Sequence, residues 1–557
     1  MKRGKAPRAV RSRWSGIAMA FLVATVVVAG WRLFWFLTDD AFIAFRYARN
    51  SMEGLGWVWN PPPFQPVEGY TSFLWLVVLE TVWRALGVAP PEAANWLGLG
   101  FGLLGLIVVA RCWNASGLPA PVTPHRQVLL AVALLTTATN RTFLTWLSSG
   151  LETSLWNLLS SSWLAAALAA TRGHRTRVWL AATASLLALT RPDGLLFAAA
   201  TVCLLLLPLA APRESLSADR AARLRRLGLE TLPLWLVPAH LVWRRWTYGA
   251  WLPNTYYAKV VGIWPESGLR YLGCFLLENG LWVWLILAAL WLVKGCPGFP
   301  EGGLAGARGS HLVALGTILA HVGYYVVVVG GDHFEYRVFS YLIPWLLVSA
   351  AWMAAWTTRS ARASIALGLT LMAASWPIQW THWSETHGLR TRYETYKLTR
   401  PIAPLFPRPI RPILEWWDEQ QAWLIARNVA MRHQEHKVFF EDQTEQWPPD
   451  NPATRLRWED RPVLATNTIG VPGWVLDDVA IIDMAGLTDR VVARTPVVAG
   501  KERNMAHDRW PPPGYVECFR PNVEYRWREE VKIVVRARSR PLTDEEIMAC
   551  ESRDWSR

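Results

Sequence analysis

The sequence predicts a polytopic α-helical membrane protein of about eleven transmembrane helices followed by a C-terminal soluble α/β domain. Three observations carry that reading. Of the 557 residues, 52% are hydrophobic and 18% charged, and the mean hydropathy is +0.15, which excludes an ordinary soluble multidomain chain. Apolar runs long enough to span a bilayer recur between residues 17 and 381. Beyond them, residues 382–557 are polar and rich in Pro and Trp.

The first run, Ile17–Leu37, has no charge except Arg32 and follows Lys2, Arg3, Lys5, Arg8, Arg11 and Arg13, so the amino terminus is expected in the cytoplasm. No small-residue cleavage site follows, and the run reads as a span rather than a signal peptide. Further runs lie at 71–88, 93–113, 127–147, 151–171, 176–190, 193–211, 228–246, 270–294, 311–330, 337–357 and 362–381. Short basic segments between them, with Arg172, Arg175 and Arg177, then Arg213, Arg220, Arg223, Arg225 and Arg226, then Lys294, Arg308, Arg359 and Arg362, are expected on the cytoplasmic side. That placement accounts for the net charge of +14 without a nucleic-acid partner.

Alternation from those loops puts SSGLET (148–153), RPDG (191–194), YGAWLPNTYYAK (248–259), GGDHFEYR (330–337) and the tail on the outer side with Asp39 and Asp40. Parity requires one run not to cross. The run 71–88 contains Glu80 and Arg84 and is expected as a re-entrant or interfacial helix.

In the tail, VAIID (479–483) and VKIVV (531–535) read as strands, and ~170 residues are enough for a separate core. PIAPLFPRPIRP (401–412) reads as a rigid connector. Cys518 and Cys550 are expected to pair if the tail is extracytoplasmic; the other cysteines lack metal-ligand spacing. The chain has no P-loop, no dinucleotide-binding glycine motif and no solenoid repeat.

The candidate chemistry lies in the external segments. A single Asp at 39 or 40 would be expected to cap a helix starting at Ala41. Two together can divide labour, because like charges push one pKa up: one serves as general base for a hydroxyl while a cation holds the other. Asp39 is favoured as the base. The first external loop, 38–70, adds Glu68 and Tyr70; Glu152 opens a later run; Arg191 and Asp193 are costly at a membrane surface unless paired or used. Asn254 and Lys259 stand among aromatics just after Arg244 and Arg245, and Asp332, His333 and Arg337 open the next run. Cations outside and close to the bilayer suit a lipid phosphate. His333 has no spaced partner and reads as a hydrogen-bonding residue rather than a metal ligand; a divalent cation bridging acid and phosphate stays open. The 36 tryptophans are mostly expected as interfacial anchors, with those of the tail also suited to stacking on sugar rings.

The ordered series DDAFIAFRYARN, GLGWVWNPPPFQPVEGYTSFLW, SGLET, RPDG, LPNTYYAK and GGDHFEYR, within residues 38–340, resembles the C-type (GT-C) membrane glycosyltransferases. It is most similar to the branch that includes the mycobacterial terminal arabinofuranosyltransferases. The resemblance implies a transmembrane glycosyltransferase domain over 1–381 with a catalytic first external loop, and an extracytoplasmic domain over 382–557, both in the plasma (inner) membrane setting of a cell envelope. It implies transfer of arabinofuranose or a similar sugar from a polyprenyl-phosphate donor to a glycan or glycolipid acceptor. By position, Asp39 or Asp40 would meet the acceptor hydroxyl, Glu152 would be the second acid, and Arg191, Lys259 and Arg337 would stand near the donor phosphate. Where that branch has a short Pro-Gly-Glu turn before VEGYT, this chain has PPPFQP. The rival class is a transporter, whose polar groups should lie at the bilayer midplane in repeated halves; here they gather toward one face without a visible repeat.

Overall fold

The computed structural model describes residues 8–207, 220–497, 500–526 and 533–555. Lys2, Arg3, Lys5, Arg213 and the first two residues of VKIVV lie outside the described residues. Helix dominates, and each apolar run named above forms one helix or a broken pair.

The run 127–147 breaks at Asn140, whose side chain caps Arg141–Thr145 by accepting from the Phe143 N–H at 3.1 Å. The run 270–294 breaks into Pro265–Glu278 and Trp282–Val293, bent by 91°. Gly280, at φ +64°, supplies the turn between them, and its Cα lies so near Ala374 and Ser375 that a Cβ would fall 2.7 Å from the Ala374 carbonyl carbon.

Among the described residues four helices are long and apolar enough to cross a membrane: Gly16–Leu33, Pro90–Ala115, Ala307–Val329 and Ala361–Thr386, or five if the bent pair is one span. The chain is an integral membrane protein. The expected eleven or so full-length spans are not met among the described residues, because runs such as 193–211 and 337–357 yield the shorter helices Gly194–Leu206 and Leu342–Thr358. In the run 71–88, which forms Phe73–Leu86, Glu80 is buried and accepts from Ser51 Oγ at 2.9 Å, Trp57 Nε1 at 2.6 Å and Arg84 at 2.7 Å. Its charge is therefore satisfied inside the protein.

The tail contains a four-stranded sheet in the order β2-β1-β3-β4. Strand β1 (Val463–Thr466) runs parallel to β2 (Ala480–Asp483) and to β3 (Val523–Tyr525), and β3 is antiparallel to β4 (Ile533–Val535). Helices Arg411–Ala426 and His433–Gln446 precede it. Cys518 and Cys550 are disulfide-bonded with Cα atoms 5.9 Å apart.

The tail packs closely against the membrane part. One apolar core runs from Val27 and Phe45 through Trp59 to Ile481 and Val523, and Phe64 of the first external loop packs into a second core with Val463, Ile482 and Phe519. PIAPLFPRPIRP is packed rather than extended as a spacer: Ile402 and Ala403 are buried, and their N–H groups each donate to Asp418 at 2.9 Å.

Candidate active site

Thr38, not an aspartate, caps the first external helix. Its Oγ1 accepts from the Ala41 N–H at 3.2 Å, and the helix begins at Asp39 and runs to Met52. The two aspartates occupy its first turn, where the helix dipole favours acids, and their carboxylates go to different places.

Asp39 turns to the tail. Its Oδ2 accepts from the Gly470 N–H at 3.1 Å and its Oδ1 from the Val471 N–H at 2.7 Å. These are orphan donors at the start of the short helix Gly470–Val475. Seven residues on, the buried Arg46 binds the other end, donating from Nη1 to the carbonyls of Gly473 at 2.8 Å and Leu476 at 2.9 Å. Its Nη2 reaches the Val479 carbonyl at 2.8 Å and its Nε the Trp59 carbonyl at 2.8 Å. A Cβ on residue 470 would stand 1.8 Å from the Asp39 carbonyl oxygen, so only glycine permits this approach. Burial pushes the Asp39 carboxyl up to about 7, against the downward pull of the two N–H groups.

Asp40 instead lines a cavity of about 210 Å³. Among the described residues its carboxylate makes no hydrogen bond and no ion pair. Both Asp39 oxygens, those of the aspartate the sequence narrowly favours as base, are engaged in docking the tail, while Asp40 lines the cavity.

The cavity gathers most of the residues that sequence reasoning selected. Tyr70, Glu152, Arg191, Asp193, Lys259, Asp332, His333 and Arg337 line it with Asp40. Glu152 stands at the N-cap position of Thr153–Leu168 but makes no side-chain cap; its carboxylate accepts from Arg191 Nη1 at 2.8 Å. Asp193 likewise precedes Gly194–Leu206 without capping it, and pairs with Arg191 at 3.2 Å, the Tyr325 hydroxyl at 2.8 Å and His321 at 3.1 Å. Arg337 is held by Asp332 at 2.8 Å and lies over the Phe334 ring. Lys259 has no carboxylate partner among the described residues. Thr255, four residues before it on the helix Asn254–Lys259, also lines the cavity, and its buried hydroxyl has no hydrogen-bond partner among the described residues. A ligand there meets paired cations from Arg191 and Arg337, one unpaired cation and one unpaired carboxylate.

Glu68 and Asn254 are not brought to the cavity. Glu68 accepts from Arg244 Nε at 2.6 Å, and both are buried. Arg244, which sequence reasoning offered to a lipid phosphate, is therefore already neutralised. Asn254 donates to the carbonyls of Gly486 at 2.9 Å and Asp489 at 2.9 Å and accepts from Arg494 at 2.8 Å, so it ties the Lys259 helix to the tail. Tyr325, Arg503 and Met505 line the cavity and were not anticipated. Tyr325 sits inside an apolar run, and Arg503 and Met505 lie in an irregular tail segment, so no spacing marks any of them. Among the described residues no group of three or more His, Cys, Asp or Glu side chains is arranged to hold a metal ion.

Two solved structures are similar to the chain. Superposed on ArnT from Cupriavidus metallidurans bound to undecaprenyl phosphate, the chain gives a TM-score of 0.50 at 15% identity, covering 84% of this chain and 86% of that one. The apo form of the same protein gives 0.45 at 15% identity, covering 85% and 87%. No protein-family model and no curated protein sequence matches the chain. The likeness is one of fold: the chain shares the fold of ArnT.

Proposed function

We propose that the protein is a membrane glycosyltransferase that moves a sugar from a polyprenyl-phosphate donor to a hydroxyl acceptor at the outer face of the membrane. The observation that carries this reading is the convergence of Asp40, Glu152, Arg191, Lys259 and Arg337, from distant parts of the sequence, on one cavity. The ArnT-like fold, solved in that relative with undecaprenyl phosphate, supports a lipid-phosphate donor.

In this mechanism the donor phosphate sits against Lys259, with Arg337 and Arg191 nearby. Neutralising its charge makes it a competent leaving group. Asp40 removes the proton of the acceptor hydroxyl as that oxygen attacks the anomeric carbon. Asp332 and Asp193 hold the two arginines in place, and Asp39 is a positioning residue that fixes the Asp40 helix against the tail. A base acting in this way on direct displacement gives inversion.

The external side of the cavity and the tail follow from the positive-inside assignment of the basic loops. The order of the external motifs favours arabinofuranose or a sugar of similar size, with a cell-envelope glycan or glycolipid as acceptor. Residues 382–557 act as the scaffold that sets the Asp40 helix and the Lys259 helix relative to one another. Incubating the purified protein with a panel of polyprenyl-phosphate sugars and measuring released polyprenyl phosphate tests the proposal; no release from any donor, in the presence of a mixed glycan acceptor pool, would contradict it.

A further inference from the structure

The proton that Asp40 takes from an acceptor has to leave a cavity that the acceptor itself fills. His333 lines that cavity with Asp40. Its Nδ1 lies 2.9 Å from the Asn428 carbonyl oxygen, which can only accept, so Nδ1 carries the hydrogen and Nε2 is left as a proton acceptor. The ring of His507 neighbours that of His333, their centres 5.7 Å apart.

His507 repeats the arrangement. Its Nδ1 is 2.9 Å from the Met505 carbonyl oxygen, and the side chain is exposed to solvent, while Met505 and Ala506 line the cavity. His436 faces His333 from another side with ring centres 5.3 Å apart, but it is buried and its Nε2 has no partner among the described residues, so it leads nowhere. Asp40 and Lys259 also act on His333; burial first, then His507, push its imidazole down to about 4, which keeps it neutral at rest and quick to pass a proton on.

We propose that His333 and His507 form the proton exit of Asp40, an inference that rests on the glycosyl-transfer reading. The acceptor O–H bond breaks and its proton goes to the Asp40 carboxylate. The acceptor oxygen bonds to the anomeric carbon, and the carbon–oxygen bond to the phosphate breaks with its electron pair leaving on polyprenyl phosphate. The proton then passes from Asp40 to Nε2 of His333, through a water to Nε2 of His507, and from there to solvent. The carboxylate and both neutral imidazoles are restored.

The test compares the purified full-length wild type with His507→Gln, an exposed position whose substitution spares the fold. Single-turnover transfer is expected to be unchanged, while multiple-turnover release of polyprenyl phosphate in dilute buffer falls about ten-fold and is restored by added imidazole. Wild-type turnover in dilute buffer, or a deficit that imidazole does not repair, would overturn the proposal. A second readout needs no turnover: in a histidine-selective NMR titration, the His333 midpoint is expected to rise in His507→Gln because the facing imidazolium is gone, and an unmoved midpoint also overturns it. A wild-type protein that releases no polyprenyl phosphate fails the glycosyl-transfer reading instead, and the titration still decides the pair.

Discussion

Val471 donates its backbone N–H to Asp39 Oδ1 at 2.7 Å, across 432 residues of sequence. With Arg46 at the opposite end of the Gly470–Val475 helix, this bond makes the external helix and the tail one unit. The acid is therefore a fixed part of the scaffold, and its neighbour Asp40 is the one that lines the cavity.

Arg46→Ala removes a donor from the buried carbonyls of Trp59, Gly473, Leu476 and Val479, of which Trp59 keeps Asn50 Nδ2 at 3.2 Å and Leu476 keeps the Val479 N–H at 3.4 Å. An unsatisfied buried polar group costs about 1–3 kcal/mol. The variant is expected to lower the melting temperature by several degrees and to make the tail more sensitive to limited proteolysis, with both effects measured on protein purified in detergent.

Asp39 gives the fold a pH dependence of definite sign. Its carboxyl, ordinarily at 3.8, is raised to about 7 by burial. Below 3.8 the folded and unfolded chains both hold the proton; between there and about 7 only the folded chain does, so this contribution to stability is lost as pH rises through that window. Melting curves from pH 4 to 8 should show the wild type losing stability with a slope that Asp39→Asn lacks.

Lys259→Ala removes the one cavity cation that has no carboxylate partner among the described residues. A charge-assisted contact to phosphate of this kind supports about a ten-fold rise in donor KM on its removal, with Lys259→Arg recovering part of it. Steady-state release assays over a donor concentration series measure the effect.

The side of the membrane is testable at Tyr393, which is 97% exposed in the tail. A Tyr393→Cys protein is expected to react with a membrane-impermeant maleimide on intact cells. Reaction only after permeabilisation would place the tail, and the cavity beside it, in the cytoplasm.

Much of the cavity is legible in the sequence because Glu152, Arg191, Asp193, Asp332 and Arg337 are polar residues at the ends of apolar runs, where their cost demands a use, and Lys259 is a cation among aromatics between two of them. Sequence reasoning cannot divide Asp39 from Asp40, since the groups that claim Asp39 are backbone N–H donors of Gly470 and Val471 with no side-chain signature. The same blindness applies to Glu68 and Arg244, whose opposite charges cancel across a contact that neither local segment reveals. Hydropathy marks where helices form but not where they bend or stop short, so Asn140 and Gly280 pass unnoticed inside runs read as single spans. In the tail, VAIID yields β2, whereas β1, of the same length, and the three-residue β3 are not read as strands from the sequence and are supported by their neighbours in the sheet.

The central claim is that Asp40 is the base and Asp39 the anchor. Its most direct measurement is release of polyprenyl phosphate by purified wild type, Asp40→Asn and Asp39→Asn, alongside the melting temperature of each. The account predicts that Asp40→Asn loses activity by about 10²-fold or more with its melting temperature intact, while Asp39→Asn melts differently yet keeps measurable transfer. Wild-type rates in Asp40→Asn, or complete loss in Asp39→Asn at an unchanged melting profile, would contradict it.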